Sequence, residues 1–136
     1  MSYGVAAALQ AAVFQRLSGW PALMALVGAE VHDALPSGPV PALYVALGPE
    51  VVRDRSDQTG HGAEHDFTVS VVTDMAGFAA AKEAAAAVSD ALVDAPLTLE
   101  RGRLIALNFH RAMAARAGGK DRRQITLHFR ARVEDD

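Results

Sequence analysis

Residues 65 to 74, "HDFTVSVVTD", predict the strand around which the rest of the chain is organised. Phe67, Val69 and Val71 alternate with smaller side chains such as Thr68, so one side of the extended chain is apolar. A period of two is typical of a strand with one buried face. The segment therefore predicts a sheet that is covered on one side.

The preceding segment predicts an antiparallel partner for this strand. It reads "ALYVALGPEVVRDR", residues 42–55, in which Leu43, Val45 and Leu47 share one side of the pleat. Gly48-Pro49 predicts a bulge or bend midway, because proline has no amide hydrogen to donate to a strand ladder. The two segments are predicted to form a long hairpin.

A charged connection separates the two predicted strands. It reads "RDRSDQTGHGAEHD", residues 53–66, contains no core residues and is too long for a tight turn. Surface loops of this kind often carry interactions. We interpret the segment as a loop that reaches outward to another molecule.

Two main helices and one short helix are predicted beside the strands. In the first helix, apolar residues recur every four positions at Val5, Leu9, Val13 and Leu17. Gly19 ends this helix, and Pro21 begins a short one that stops at Gly28. In the clearest helix, within residues 76–96, the apolar stripe consists of Phe78, Ala81, Ala85, Val88 and Leu92. Such spacing is typical of helices with one buried face.

Three further strands complete the predicted order. A brief strand is expected around Val31–Ala34, and a second hairpin within residues 103–133. In the first strand of that hairpin, Ile105, Leu107 and Phe109 are predicted to face one way. The tip "ARAGGKD" contains two glycines that can adopt positive φ.

The predicted fold class is α+β: an antiparallel sheet with two main helices packed on one face. The chain has 136 residues, of which 51% are hydrophobic. This is the size and composition of one domain with a single core, so a single domain is predicted over residues 1–136.

Composition excludes several classes of function. The formal charge of −3 argues against a protein whose affinity depends on neutralising many phosphates. The chain has no cysteine, which excludes disulfides, thiolate zinc sites and cysteine nucleophiles. No segment approaches the roughly 20 apolar residues that span a bilayer, and the N-terminal segment lacks the basic leader of a signal peptide. A cytosolic start and no membrane partner are expected.

One short motif suggests catalysis. His61, Glu64 and His65 match H-x-x-E-H, which in one class of metalloproteases supplies two zinc-binding imidazoles and a catalytic carboxylate. In those enzymes both histidines project from one face of a helix. Here the motif is predicted to run from a glycine-containing loop into a strand, so the two imidazoles are expected to lack a common face. A small metal-dependent hydrolase that uses this motif is the alternative function.

The uncovered face of the sheet and the charged connection of residues 53–66 favour an assembly role over catalysis. Basic residues gather around the second hairpin tip: Arg111, Arg116, Lys120, Arg122 and Arg123. Such a cluster can contact phosphate or an acidic partner, or it can simply be a solvated hairpin. The uncovered face of the sheet is predicted to carry Thr68, Ser70, Val72, Thr126, His128, Arg130 and Arg132. A mixed polar and apolar face of this kind can bind another protein.

Four blocks of sequence together carry a family resemblance. They are "ALQAAVFQRLSGWPALMALVG", "VHDALPSGPVPALYVALG", "RDRSDQTGHGAEHDFTVSVVT" and "AKEAAAAVSDALVDAPLTL". In order and spacing, from about Ala8 to Val133, the chain resembles the tail-completion, or tail-terminator, proteins of siphophage-like prophages and gene transfer agents. Within the third block, "D-x-S…T-G…G-x-E-H" looks like the most recognisable stretch of that family.

The resemblance implies a non-enzymatic structural protein of a virion or particle tail, assembled in the bacterial cytoplasm and without a cofactor. In such proteins, typically six copies close a ring at the head-proximal end of the tail tube. The implied partners are further copies of the chain, the tail tube protein and the head-completion, or stopper, protein. DNA would only pass through the lumen. Six copies at −3 each carry −18 formally, which suits a lumen through which DNA slides.

Two sets of residues are predicted to form interfaces. The first, for contacts with neighbouring subunits or the tube, lies in the charged connection and comprises Arg53, Asp54, Arg55, Asp57 and His61. The second lies at the opposite hairpin and comprises Arg116, Lys120, Arg122 and Arg123. Neither catalytic residues nor metal ligands are assigned.

Overall fold

The computed structural model describes residues 3–33, 40–58, 60–117 and 122–136. The chain forms helices and strands in the order α1 (Ala6–Ser18), α2 (Pro21–Val27), β1 (Val31–His32), β2 (Leu43–Asp54), β3 (His61–Thr73), α3 (Ala79–Leu92), β4 (Arg103–Ala117) and β5 (Arg122–Asp135). This order agrees with the sequence-based prediction, and the α+β class is confirmed.

The five strands form one sheet in the order β1-β2-β3-β5-β4. The pairs β2–β3, β3–β5 and β4–β5 are antiparallel, whereas the two-residue β1 runs parallel to β2. The sheet is therefore mixed and not purely antiparallel as predicted. Periodicity could not show this, because two residues carry no signal of strand direction. β3 lies in the middle, where Val71 pairs with Val45 on one side and Ile125 on the other.

The helices cover one face of the sheet and complete a single apolar core. The predicted stripe of α1 is buried, with Leu9, Val13 and Leu17 at most 2% exposed. The buried side of α3 consists largely of alanines, which let a helix approach a sheet closely because they add little bulk. Odd-numbered residues of β3 and β5, including Val69 and Phe129, fill the space beneath the helices.

The predicted long loop is mostly strand, which corrects the sequence interpretation. β2 continues to Asp54 and β3 begins at His61, so only residues 55–60 connect them. Arg53 pairs in register with Glu64, and Arg55 N donates to Gly62 O at 2.8 Å. The inward-facing positions of this ribbon are buried, with Ala63 at 3% and His65 at 0% exposure, so the prediction that the segment contains no core residues is wrong. The apolar alternation that marks a half-buried strand is absent because these positions carry alanine and histidine instead of large apolar side chains. Cross-strand pairs of opposite charge support it instead.

Bulges decide which side chains of β4 reach the core. The register shifts between Leu104 and Ala106, so Leu104 packs against the core while Ile105 is 47% exposed. The predicted alignment of Ile105 with Leu107 and Phe109 is therefore wrong, because one extra residue in a strand reverses the side of the residue before it. A predicted bulge in β2 is confirmed, with its shift between Leu47 and Glu50.

The two edges of the sheet are unequal. β4 forms one edge, and all its residues from 108 to 116 are exposed. At the other edge, β1 pairs only with Val45 and Ala46, so the rest of β2 has no outer partner in the described parts of the chain. Both edges therefore leave backbone hydrogen-bonding groups available to another chain.

Candidate assembly surfaces

The three residues of the H-x-x-E-H pattern do not converge on one point. His61, Glu64 and His65 all lie in β3, where alternate side chains point to opposite faces of the sheet. The two histidines thus share a face, contrary to the prediction, but four residues of strand separate them by about 13 Å. Glu64 lies on the opposite face. The described residues contain no group of three or more histidine or acidic residues that could hold a metal ion.

His65 has a structural environment instead. Its ring is fully buried on the helix-covered face, and its Nδ1 lies 3.1 Å from Oε2 of Glu50 in β2. Its Nε2 is buried with no hydrogen-bond partner among the described residues. Glu50 could not be associated with His65 from sequence, because their pairing depends on the β2 bulge. Because the residues of the H-x-x-E-H pattern lie apart, the geometry does not support the alternative function as a metal-dependent hydrolase.

The uncovered face of the sheet carries a network of ion pairs across three strands. Asp66 accepts hydrogen bonds from Arg53 at 2.9 Å and from Arg130 at 2.8 Å. Glu64 lies within 3.6 Å of Arg55 and 3.4 Å of Arg53. These contacts place Arg53 and Arg55, two residues of the first predicted interface, on the surface but already paired within the chain.

The network lowers the pKa of Asp66. The hydrogen bond from Arg130 is the largest cause, followed among the favourable effects by the charges of Arg130 and Arg53. The pKa of Asp54 is also lowered, chiefly by the hydrogen bond from the side chain of Ser56. Both carboxylates therefore remain charged to lower pH than isolated aspartates do.

We expect Asp66→Asn to lower the free energy of unfolding at pH 7 by about 1 kcal/mol, because partly exposed charge pairs contribute little more than this. The folded pKa of Asp66 is depressed. Its contribution is therefore fully present above the unfolded value of about 3.9 and is lost as the pH falls through the folded value. Urea unfolding from pH 7 to pH 3 should show the difference from the wild-type protein shrinking. Asp90→Asn, at an exposed position of α3, is the control, and a difference independent of pH would contradict this explanation.

The rest of the first predicted interface lies at the β2–β3 turn. Asp54 accepts hydrogen bonds from the backbone and side chain of Ser56, and Oδ1 of Asp57 accepts from Gly60 N at 2.8 Å. His61 is exposed at the start of β3 and pairs in register with Asp135. The five residues thus lie along one short turn and the ends of its two flanking strands. The irregular connection, residues 55–60, is shorter than the predicted loop of residues 53–66.

The second predicted interface lies at the end of the β4–β5 hairpin. Arg116 and Arg123 are direct cross-strand neighbours, and Arg122 is the first residue of β5. Arg123 also donates to the carbonyl oxygen of Met75 and lies over the ring of Phe78 at 5.6 Å. Lys120 lies outside the described residues. The structure brings the three described arginines together at one end of the molecule.

Charge is strongly segregated between this hairpin and the rest of the chain. Residues 108–128 contain five basic residues and one acidic residue, a formal charge of +4; the remainder contains eight basic and fifteen acidic residues, a formal charge of −7. The pKa of His128 is lowered, first by burial and then by the nearby charges of Arg111 and His110. Residues 108–128 are therefore cationic, whereas the rest of the chain is acidic.

An apolar pocket with acidic residues lies at the opposite edge of the sheet. Its volume is about 500 Å³. Its lining consists of Tyr3, Ala6, Ala7, Gln10, Ala11, Phe14, Asp33 and Glu50. The pocket lies between the side of α1 and the β1–β2 edge. The pocket was not predicted from the sequence, although Ala7, Ala11 and Phe14 lie off the buried stripe of α1 and were the available signal.

The described surfaces at the edges of the sheet are a charged ribbon, a cationic hairpin end and an apolar pocket. The chain belongs to the family described as Tail completion protein gp17, whose model matches residues 11–134. It is also similar to a chain in the solved structure of the virion of a native gene transfer agent (GTA) particle. The two are 62% identical, the match covers 98% of this chain and 99% of that one, and the TM-score is 0.93. No curated protein matches this sequence.

These matches confirm the resemblance found in the sequence. The protein is a structural component of a virion tail, as predicted. Within the described ranges, no helix combines the length and apolarity that crossing a bilayer requires.

Proposed function

We propose that the chain, acting as one domain, closes a ring of six copies at the head-proximal end of a tail tube. There it ends polymerisation of the tube and joins the tail to a head-completion, or stopper, protein. The main support is the family match over residues 11–134 together with 62% identity to a chain of a gene transfer agent virion. The particle to which it belongs would be a gene transfer agent or a phage particle encoded by a related prophage.

The physical properties of the chain are compatible with such a ring. A closed ring needs heterologous contacts, in which one patch on each copy meets a different patch on the next. This chain has two dissimilar edges, one cationic with exposed apolar residues and one with an acid-rimmed apolar pocket. The negative charge of six assembled copies would weaken binding to DNA, so that DNA passes through the lumen without being held.

We assign two contact regions as part of this proposal. The β2–β3 turn, with Arg53, Asp54, Arg55, Asp57 and His61, would meet a neighbouring copy or the tube. The end of the β4–β5 hairpin would form a second interface through Arg116, Lys120, Arg122 and Arg123. Of the first set, Arg53 and Arg55 would exchange part of their pairing with Glu64 for intermolecular contacts.

We expect deletion of the gene for this chain to leave heads without joined tails and tails of abnormal, widely varying length. The reason is that the terminating ring and the head-joining surface would be lost together. Electron microscopy of particles from the producing cells measures both properties, and a plasmid copy of the gene should restore them. Joined particles with tails of normal length in the deletion strain would refute the proposed function.

The turn assignment has its own test. The double reversal Asp54→Arg with Arg55→Asp keeps the net charge but exchanges the charges at two exposed positions, so it should strongly reduce the fraction of joined particles. Asp54→Glu with Arg55→Lys keeps the charges in place and is the matched control. If the double reversal still yields tails that end normally and join heads, the turn is not an interface.

A further inference from the structure

We propose that neighbouring copies join edge to edge, with the outer edge of β4 in one copy packing on the α1 pocket edge of the next copy. This inference rests on the proposed ring and specifies which surfaces of the chain form it. We call the two surfaces the β4 edge, comprising residues 105–116, and the pocket edge, comprising the lining of the 500 Å³ pocket.

The β4 edge has the properties of a strand awaiting a partner. Its large apolar side chains Ile105, Phe109 and Met113 are 47%, 45% and 55% exposed. No other strand in the described parts of the chain pairs with its outer side. Proteins usually protect an edge of this length with proline, with short strands or with a covering helix. This edge carries two bulges, at residues 104–106 and 109–111, and several basic residues, which offer some protection. Its large apolar side chains nevertheless stay exposed, so the edge is suited to contact with another chain.

The pocket edge has the complementary properties. Apolar atoms of Ala7, Ala11 and Phe14 line the pocket, which can accept exposed apolar side chains of the size of methionine or phenylalanine. Asp33 and Glu50 also line it, and none of the basic residues that the structure describes contributes to this lining. Buried aromatic or aliphatic anchors in a pocket of this kind dominate the energies of protein interfaces.

The positions of the two surfaces allow a chain of copies to continue in one direction. β1 and β2 form one side of the sheet and β4 the other, so the strand order places the surfaces at opposite edges. Each copy can therefore use its β4 edge on one neighbour and its pocket edge on the other. Such contacts form a closed ring when the rotation from one copy to the next is a whole-number fraction of a full turn.

Charge favours this pairing over the pairing of like edges. The β4 edge carries Arg111 and Arg116, whereas the pocket edge carries Asp33 and Glu50. Two β4 edges would repel each other, and so would two pocket edges. Opposite potentials on the two edges would steer copies into the head-to-tail arrangement and suppress the symmetric one.

A second copy of the chain also explains more than the other occupants do. DNA would suit the cationic hairpin but would not fill an apolar pocket that has acidic residues in its lining. A different tail protein would leave unexplained why this chain carries both halves of one complementary pair. The two surfaces are therefore assigned to each other.

Cross-linking in assembled particles tests the contact directly, because the chain has no native cysteine. Met113→Cys and Ala7→Cys introduce thiols at two exposed positions, one on each edge. Particles that contain the double variant are treated with a short bismaleimide and analysed by denaturing electrophoresis. We expect a ladder of covalent oligomers that ends at the number of copies in the ring. Either single variant, and the control pair Ala7→Cys with Glu83→Cys, should remain monomeric.

Each other outcome overturns the edge proposal and leaves the ring to be judged separately. Covalent dimers from Met113→Cys alone would show a symmetric β4 contact. A link from the thiol introduced by Met113→Cys to a different tail protein would show that another partner covers this edge. Joined particles with normal tails but without the ladder would refute the edge contact while leaving the proposed function intact. Only normal particles in the deletion strain would refute the function itself.

Charge exchange gives a second test that does not depend on cysteine chemistry. Arg111→Glu should lower the fraction of joined particles about tenfold, because it places an acidic residue against the acidic pocket edge. Asp33→Arg should do the same. The combination should restore joining to within about threefold of the wild-type level, since it re-creates an opposite pair. Circular dichroism should first show that both single variants are folded. An additive loss in the combination would then contradict the contact.

Discussion

Replacement of Phe129 by alanine is expected to lower the free energy of unfolding by about 4 kcal/mol. Phe129 is fully buried in β5, and its ring lies 5.7 Å from that of Phe67 and 6.0 Å from that of Phe109. Truncation removes the apolar contact area and leaves a cavity beneath α3 that well-packed neighbours fill only in part. Urea or guanidinium unfolding followed by circular dichroism measures the loss.

Phe109→Ala is the matched control for this prediction. Its ring belongs to the same aromatic cluster but is 45% exposed at the edge of the sheet. We expect a loss of about 1 kcal/mol. Because the ring of Phe109 is already partly exposed, its removal loses less buried apolar area and leaves no enclosed cavity. Equal losses from the two variants would show that burial in the folded chain does not determine the cost. A much larger effect of Phe109→Ala on particle joining than on stability would instead fit its place on the β4 edge.

Replacement of Gly102 by alanine is expected to destabilise the protein by about 3 kcal/mol, from two causes acting together. Gly102 has φ of +71°, in the left-handed region that disfavours residues with a Cβ atom. An added Cβ would also collide with the carbonyl oxygen of Glu134 and lie 2.8 Å from Cγ2 of Val5. The backbone of β5 cannot move aside without disturbing its pairing with β4, so the strain cannot relax locally.

Gly77→Ala separates the two causes. Gly77 also has a positive φ, +77°, but an added Cβ would meet no atom within 4 Å. The loss there should be about 1 kcal/mol, the conformational cost alone. Thermal and denaturant unfolding of both variants provide the comparison. If Gly102→Ala is no worse than Gly77→Ala, the close approach of β5 and α1 at this position is not rigid.

Regular periodicity made most of the helices and strands predictable. The four-residue spacing from Val5 to Leu17 reflects one buried face, and that face is buried in the fold. The alternation from Phe67 to Thr73 correctly predicted a strand, but the prediction that its other side is open is wrong, because Thr68, Ser70 and Val72 are at most 9% exposed. The β2 bulge was predictable because proline cannot donate a ladder hydrogen bond. Local rules of this kind succeed where a single segment determines its own geometry.

Prediction failed where the geometry depended on a partner strand. The charged ribbon from Arg53 to Asp66 was interpreted as a loop because no apolar alternation marks it. Its strand character comes from cross-strand pairs such as Arg53 with Asp66, which only the register brings together. Ile105 was assigned to the wrong face for a similar reason, since the bulge beside it is stabilised by pairing with β5. His61, Glu64 and His65 lie apart because they are in a strand. The same spacing in a helix would bring the two histidines onto one face, close together.

The amino-acid sequence by itself determined the α+β class, the order of helices and strands, and the membership of the tail-completion family. These properties depend on local periodicity and on the order of blocks along the chain. Only the tertiary structure decided that β1 runs parallel to β2, that Glu50 accompanies His65, and that a cationic edge and an acid-rimmed pocket lie at opposite sides of the sheet. The physical reason is that strand pairing joins residues far apart in sequence, and no local pattern encodes which distant residues become neighbours.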